Sequence, residues 1–170
     1  MAVGGELRRG MANIHHTGFT VSDLDRAVEF YRGGFGCEEL LRGELAGPEV
    51  EKAVAVPGAV LRTALLKAGN VMIELLEYQA PDGQPFSLRN NDTGAAHLCF
   101  TVEDIDEVFA RLVAGGAEPL WRPSERAPDG QAVGTRFAYL RDPDGITVEI
   151  LEPGPRFGMA ELVAEAGHAG

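Results

Sequence analysis

Four residues of this chain have the types and the spacing to hold a metal ion: His16, Glu74, His97 and Glu149. Imidazole nitrogens and carboxylate oxygens together suit one borderline divalent cation, Zn, Ni, Co, Mn or Fe(II). Both glutamates lie in the middle of apolar, strand-like stretches, where a carboxylate is costly to bury unless it is paired or bound to a cation. Taken alone, a strand histidine is more often a hydrogen-bonded structural residue, and a strand glutamate usually faces solvent at a sheet edge. These four depart from that ordinary reading because they occur as a repeated set.

The repeat has two parts. Residues 16–25 read HTGFTVSDLD and residues 97–106 read HLCFTVEDID, identical at six of ten positions. Residues 71–77 (VMIELLE) and 146–152 (ITVEILE) form the second pair, with both glutamates of each aligned. The order is His block, Glu block, His block, Glu block. His15 is expected on the opposite strand face from His16, and His168 lies in the tail; neither is expected to bind metal.

The elements that must carry these residues follow from periodicity. Phe19 and Val21 alternate with small or polar positions, the pattern of a half-buried strand, which places His16, Gly18 and Thr20 on one face. Ser22 or Asp23 supplies an N-cap. Leu24, Ala27, Val28 and Tyr31 then fall on one helical face, and Gly33 and Gly34 are expected to end the helix. The second copy repeats the scheme with Leu98, Phe100 and Val102, then Ile105, Val108, Phe109 and Leu112, then Gly115 and Gly116. Residues 59–67 and 70–78 read as a hairpin about Ala68 and Gly69, and 135–141 and 146–152 flank the turn sequence DPDG. Alternation sets Met72, Glu74 and Leu76 on one face, and Thr147, Glu149 and Leu151 on one face.

Each half is therefore βαβββ, and the expected fold is α+β: two tandem βαβββ modules forming a curved, cleft-enclosing mixed sheet. The expected divisions are a flexible N-terminus at 1–11, a first module at 12–79, a linker at 80–94, a second module at 95–153 and a tail at 154–170. Cys99 and Thr101 are expected beside the metal or as plain fillers. Tyr78 and Trp121 are pocket or core aromatics, and 80–94 is a linker or a lid. Arg62, Arg126 and Arg136 are weak candidates for holding a substrate anion.

The 170-residue chain is 45% apolar, enough for a buried core, and carries a formal net charge of −11. That acidity argues against nucleic-acid binding, which needs clustered Lys and Arg. No apolar run approaches the length of a membrane span, and no apolar segment follows Arg8 and Arg9 as a secretory signal would require. Cys37 and Cys99 form no CxxC motif, consistent with a reduced, cytoplasmic protein.

The segments HTGFTVSDLDRAVEFYRGGFG, IELLE, GAAHLCFTVEDID and DPDGITVEI resemble the vicinal oxygen chelate superfamily, which includes glyoxalase I, methylmalonyl-CoA epimerase, bleomycin resistance proteins and extradiol dioxygenases. The resemblance covers roughly residues 13–153. It implies metal ligands on the first and last strands of each module, positions that His16, Glu74, His97 and Glu149 match. It also implies a glyoxalase-like isomerase, epimerase or lyase that stabilises an enediolate or enolate of a small oxygenated substrate. The metal would be Zn, Ni, Co or Mn, with Fe(II) as an alternative. Glu149 is the first choice for the catalytic base and Glu74 its counterpart. The other readings on this scaffold are an Fe(II) dioxygenase and a metal-free binding or resistance protein. A homodimer is expected.

Overall fold

A computed structural model describes residues 13–125 and 134–154. Element order is β1 (Thr17–Val21), α1 (Leu24–Phe35), β2 (Glu38–Ala46), α2 (Pro48–Val54), β3 (Val60–Ala68), β4 (Val71–Ala80), β5 (His97–Thr101), α3 (Ile105–Ala114), β6 (Glu118–Pro119), β7 (Ser124–Glu125), β8 (Arg136–Arg141) and β9 (Thr147–Glu152). The fold is α+β, with two mixed sheets. The first runs β1-β4-β3-β2 and the second β5-β9-β8-β6, with β7 also paired to β8. In each, the His strand lies parallel to the Glu strand, β1 on β4 and β5 on β9, and every other pairing is antiparallel.

The described residues fall into two compact units. One comprises the chain up to Leu24 with Cys37–Asp82; the other comprises Asp25–Gly36 with the chain from Gly83 onward. In the first unit, Ala64, Leu66, Ile73 and Leu75 make a buried sheet face, and Leu61 is buried as well. Helix α1, apart from its first residue, belongs to the second unit. Ala27, Val28 and Tyr31 are buried there, as are Ile105, Val108 and Leu112 of α3 and Leu140, Val148 and Ile150 of the sheet.

Several local features differ from the sequence expectation. Helix α1 runs through Gly33 and Gly34 to Phe35, and a Cβ on Gly34 would come within 2.6 Å of Leu112 Cδ2. That glycine serves close packing of α1 on α3, and the positive-φ residue after the helix is Gly36. Helix α2 was not expected: it is a seven-residue segment begun by Pro48 and without a buried residue, so no amphipathic pattern announces it. The first hairpin turns at Gly69 and Asn70, with Ala68 paired to Val71. In the second half the middle strand is reduced to β6 and β7, two residues each. Pro119 and Pro123 each lack the N–H that a continuous ladder needs.

The second glutamate of each Glu block has a structural role. Glu77 Oε2 accepts the backbone N–H of Leu24 at 3.3 Å, and Glu152 Oε2 accepts that of Ile105 at 2.9 Å. Strands β4 and β9 thus each satisfy a free backbone N–H, those of Leu24 and Ile105, and Glu152 places negative charge at the positive end of the α3 dipole. Asp104 adds the N-cap of α3, accepting the N–H of Glu107 at 2.9 Å.

Candidate metal centre

His16 lies just ahead of β1, and its Nε2 stands 3.2 Å from Oε2 of Glu74 in β4. His97 opens β5, and its Nε2 stands 3.2 Å from Oε2 of Glu149 in β9. The parallel pairing accounts for both contacts. Gly18 is in register with Glu74 and Cys99 with Glu149, so each histidine sits two residues before its glutamate's partner. At the first pair Gly18 lies beside the carboxylate, where a Cβ would make ordinary contact with Glu74 Oε2 at 3.7 Å.

The donor set and its spacing fit a divalent ion. Two ligands each about 2.1 Å from a metal lie about 3.0 Å apart at a right angle and about 3.4 Å apart at the tetrahedral angle. The observed 3.2 Å falls between these values at both sites. The structure brings the four residues together as two pairs. Among the described residues, no three or more His, Cys, Asp or Glu side chains form a ready metal cluster.

The two glutamates differ in their surroundings. The Glu149 side chain is 6% exposed, against 28% for Glu74. Tyr139, opposite Glu149 on β8, donates its hydroxyl hydrogen to Glu149 Oε2 at 2.9 Å, and its ring stands edge-on to His97 at 5.3 Å. Burial of the second carboxylate is thereby offset by a neutral donor.

Residues 13–150 match the Glyoxalase/Bleomycin resistance protein/Dioxygenase superfamily. The chain belongs to that superfamily. Its relatives include a 2-epi-5-epi-valiolone epimerase of Actinomyces sp., 35% identical over 84% of this chain and 80% of that protein. A lactoylglutathione lyase of Arabidopsis thaliana is 26% identical over 82% of this chain, which spans only 44% of that longer protein. Among solved structures, a glyoxalase family protein from Bacillus cereus superposes with a TM-score of 0.73 at 25% identity, covering 90% of this chain and 98% of that one.

Other residues singled out from the sequence take different places in this superfamily fold. Arg62 bonds Glu77 at 2.9 Å, and Arg136 bonds Asp106 through two contacts of 2.8 Å. Both flank the helix-capping glutamates, which accounts for them as structural cations. Arg126 and His168 lie outside the described residues. Trp121 is 67% exposed and carries Arg122 over its ring at 5.7 Å, so it is not a core residue. Tyr78 is half-buried in β4, and Cys99 and Thr101 are exposed on β5. The ring of His15 touches that of His16, with 2.8 Å between their Nδ1 atoms. Strand alternation does not separate them because β1 begins only at Thr17.

The stretch 81–94 contains no helix or strand. It is tied to the second sheet by Arg141, which bonds Leu88 O at 3.0 Å and Asn90 Oδ1 at 3.1 Å and also reaches Thr147 Oγ1. Tyr139, which bonds Glu149, and Arg141, which anchors the 81–94 stretch, were not expected from the sequence. Counting back from DPDG nearly finds them. However, the turn takes five residues, so that Arg141 pairs with Thr147, and a symmetric four-residue turn would miss that register.

Proposed function

We propose that the protein is a divalent-metal-dependent isomerase of the epimerase kind, with His16, Glu74, His97 and Glu149 as the protein ligands. The observation that carries this reading is the occurrence of the same His–Glu pair twice, at the same 3.2 Å, on equivalent strands. A bound Zn, Ni, Co or Mn ion would supply Lewis acidity toward a substrate carbonyl. The chain's own residues hold that ion and move a proton. A carboxylate is suited to remove a proton from the carbon next to a carbonyl if it reaches that carbon. Glu149 is assigned this role, with Glu74 as its counterpart on the equivalent strand. Return of the proton to the opposite face of the same carbon gives an epimer; its return at the neighbouring carbon gives an isomer.

The 35% identical relative is named a 2-epi-5-epi-valiolone epimerase, and a small oxygenated molecule of the valiolone kind is the proposed substrate. The working form is proposed to be a cytoplasmic homodimer. No helix of the described residues is long and apolar enough to cross a membrane.

The test combines elemental analysis with proton exchange. Wild-type protein should carry about one Zn, Ni, Co or Mn per chain, and His97→Ala should lose it. In D2O, the metal-loaded protein should exchange the hydrogen beside the carbonyl of 2-epi-5-epi-valiolone, as followed by proton NMR. Iron together with oxygen consumption would replace this reading with the dioxygenase. Failure to take up metal after reconstitution would replace it with a binding protein. Metal uptake without exchange would leave the site and remove the proposed substrate class.

A further inference from the structure

The two His–Glu pairs are not equivalent, and the difference lies on the strand beside each Glu strand. In the first sheet, the residue directly opposite Glu74 is Leu65; in the second, the residue directly opposite Glu149 is Tyr139. Directly opposed residues on neighbouring strands project to the same face. Leucine has nothing to donate, whereas the Tyr139 hydroxyl reaches Glu149 Oε2 at 2.9 Å. His97 Nε2 approaches that same oxygen at 3.2 Å. The Glu149 carboxylate is therefore held from two directions by groups on β5 and β8, and its other oxygen, Oε1, receives neither of these contacts.

We infer that Tyr139 is a positioning residue that makes Glu149 the stiff carboxylate of the site and leaves Glu74 the adaptable one. The inference rests on the metal-site reading for its consequence, but the hydrogen bond itself does not. Groups that hydrogen-bond a ligating carboxylate fix its orientation and thereby the geometry offered to the ion. A stiff carboxylate presents one oxygen in a fixed direction. A partly exposed carboxylate facing leucine can change rotamer as a substrate enters. The central-strand residue thus divides the labour between two glutamates that the repeat makes identical in sequence.

The experiment uses the full chain in three forms: wild type, Tyr139→Phe and Leu65→Met. Tyr139→Phe removes the oxygen and keeps the ring against His97, and thermal unfolding checks that each variant remains folded. Cobalt(II) titration followed by visible absorption should show Tyr139→Phe binding about 10- to 100-fold more weakly with altered bands, while Leu65→Met follows wild type. A metal-free measurement accompanies it, the side-chain carboxyl 13C resonances of Glu149 and Glu74. In Tyr139→Phe the Glu149 resonance should shift or broaden and that of Glu74 should stay. Wild-type binding with an unchanged Tyr139→Phe titration and spectrum would overturn the positioning role while keeping the metal site. If wild type takes up no cobalt, the metal reading fails by itself. The Tyr139 inference then stands or falls on whether the Glu149 resonance responds.

Discussion

Tyr31 donates its hydroxyl hydrogen to Asp142 at 3.0 Å, joining helix α1 to the DPDG turn across 111 positions of sequence. The other oxygen of Asp142 accepts the backbone N–H groups of Ile146 at 2.8 Å and Asp144 at 2.9 Å, so one carboxylate organises the turn and anchors the helix. The turn that sets the register of Tyr139 on Glu149 is thus fixed by a residue outside the His97–Glu149 pair.

That carboxylate has a pH signature. Burial pushes Asp142 above its ordinary value of 3.8, outweighing its hydrogen bonds to Ile146, Asp144 and Tyr31. The folded protein then keeps this proton to higher pH than the unfolded chain does. The stability it contributes is complete below the ordinary value and is lost as pH rises through the elevated one. Asp142→Asn keeps an oxygen for both backbone donors and cannot ionise. Urea unfolding should show the variant gaining on wild type as pH is raised from about 4 to 7. A difference that does not vary with pH would show that the group titrates normally.

The capping glutamates should act as a matched pair. Glu77→Ala and Glu152→Ala each remove an acceptor from a helix N-terminus and should cost about 1–2 kcal/mol in denaturant unfolding. The metal content of both variants should match wild type. Loss of metal with unchanged stability would reverse the roles assigned to the two glutamates of each Glu block.

Gly34→Ala tests the close approach of α1 and α3. Its Cβ would meet Leu112 Cδ2 at 2.6 Å, and Leu112 is fully buried and cannot easily turn aside. The expected loss is about 1–3 kcal/mol, read as a lower urea midpoint. A stabilised variant, as helix propensity alone would give, would mean that the packing yields.

Glu149→Gln should abolish turnover in the exchange assay while the protein stays folded, since the amide cannot take up a proton at neutral pH. Glu74→Gln is the companion variant. Unchanged turnover in Glu149→Gln would move the base to another residue.

The repeat made much of this architecture legible because alternation and helical periodicity are local properties of the chain. Phe19 and Val21 mark a strand and Leu24 to Tyr31 a helix without reference to anything distant, and the two His–Glu pairs follow from equivalent positions. The unread features depend on partners far away in sequence. Gly33 and Gly34 look like a helix stop until Leu112 is seen beside Gly34. Arg62 and Arg136 look like anion binders until Glu77 and Asp106 occupy them. Tyr139 looks like any strand aromatic until the turn length sets it opposite Glu149. Helix α2 was silent for a different reason: having no buried residue, it leaves no hydrophobic pattern to read.

The hydrogen bond from Ile105 to Glu152 also bears on the order of events as the chain is made. It spans 47 positions, and its acceptor lies at the very end of β9. Helix α3 can form its turns early from local contacts, but its N-terminal amide must wait for the last strand of its own module. Long-range closures of this kind slow folding. A nascent chain halted short of Thr147 would carry His97 and Cys99 on a strand whose parallel partner has not arrived. Emergence of the final strand would then supply the sheet partner, the acceptor for the Ile105 amide and the Glu149 carboxylate together.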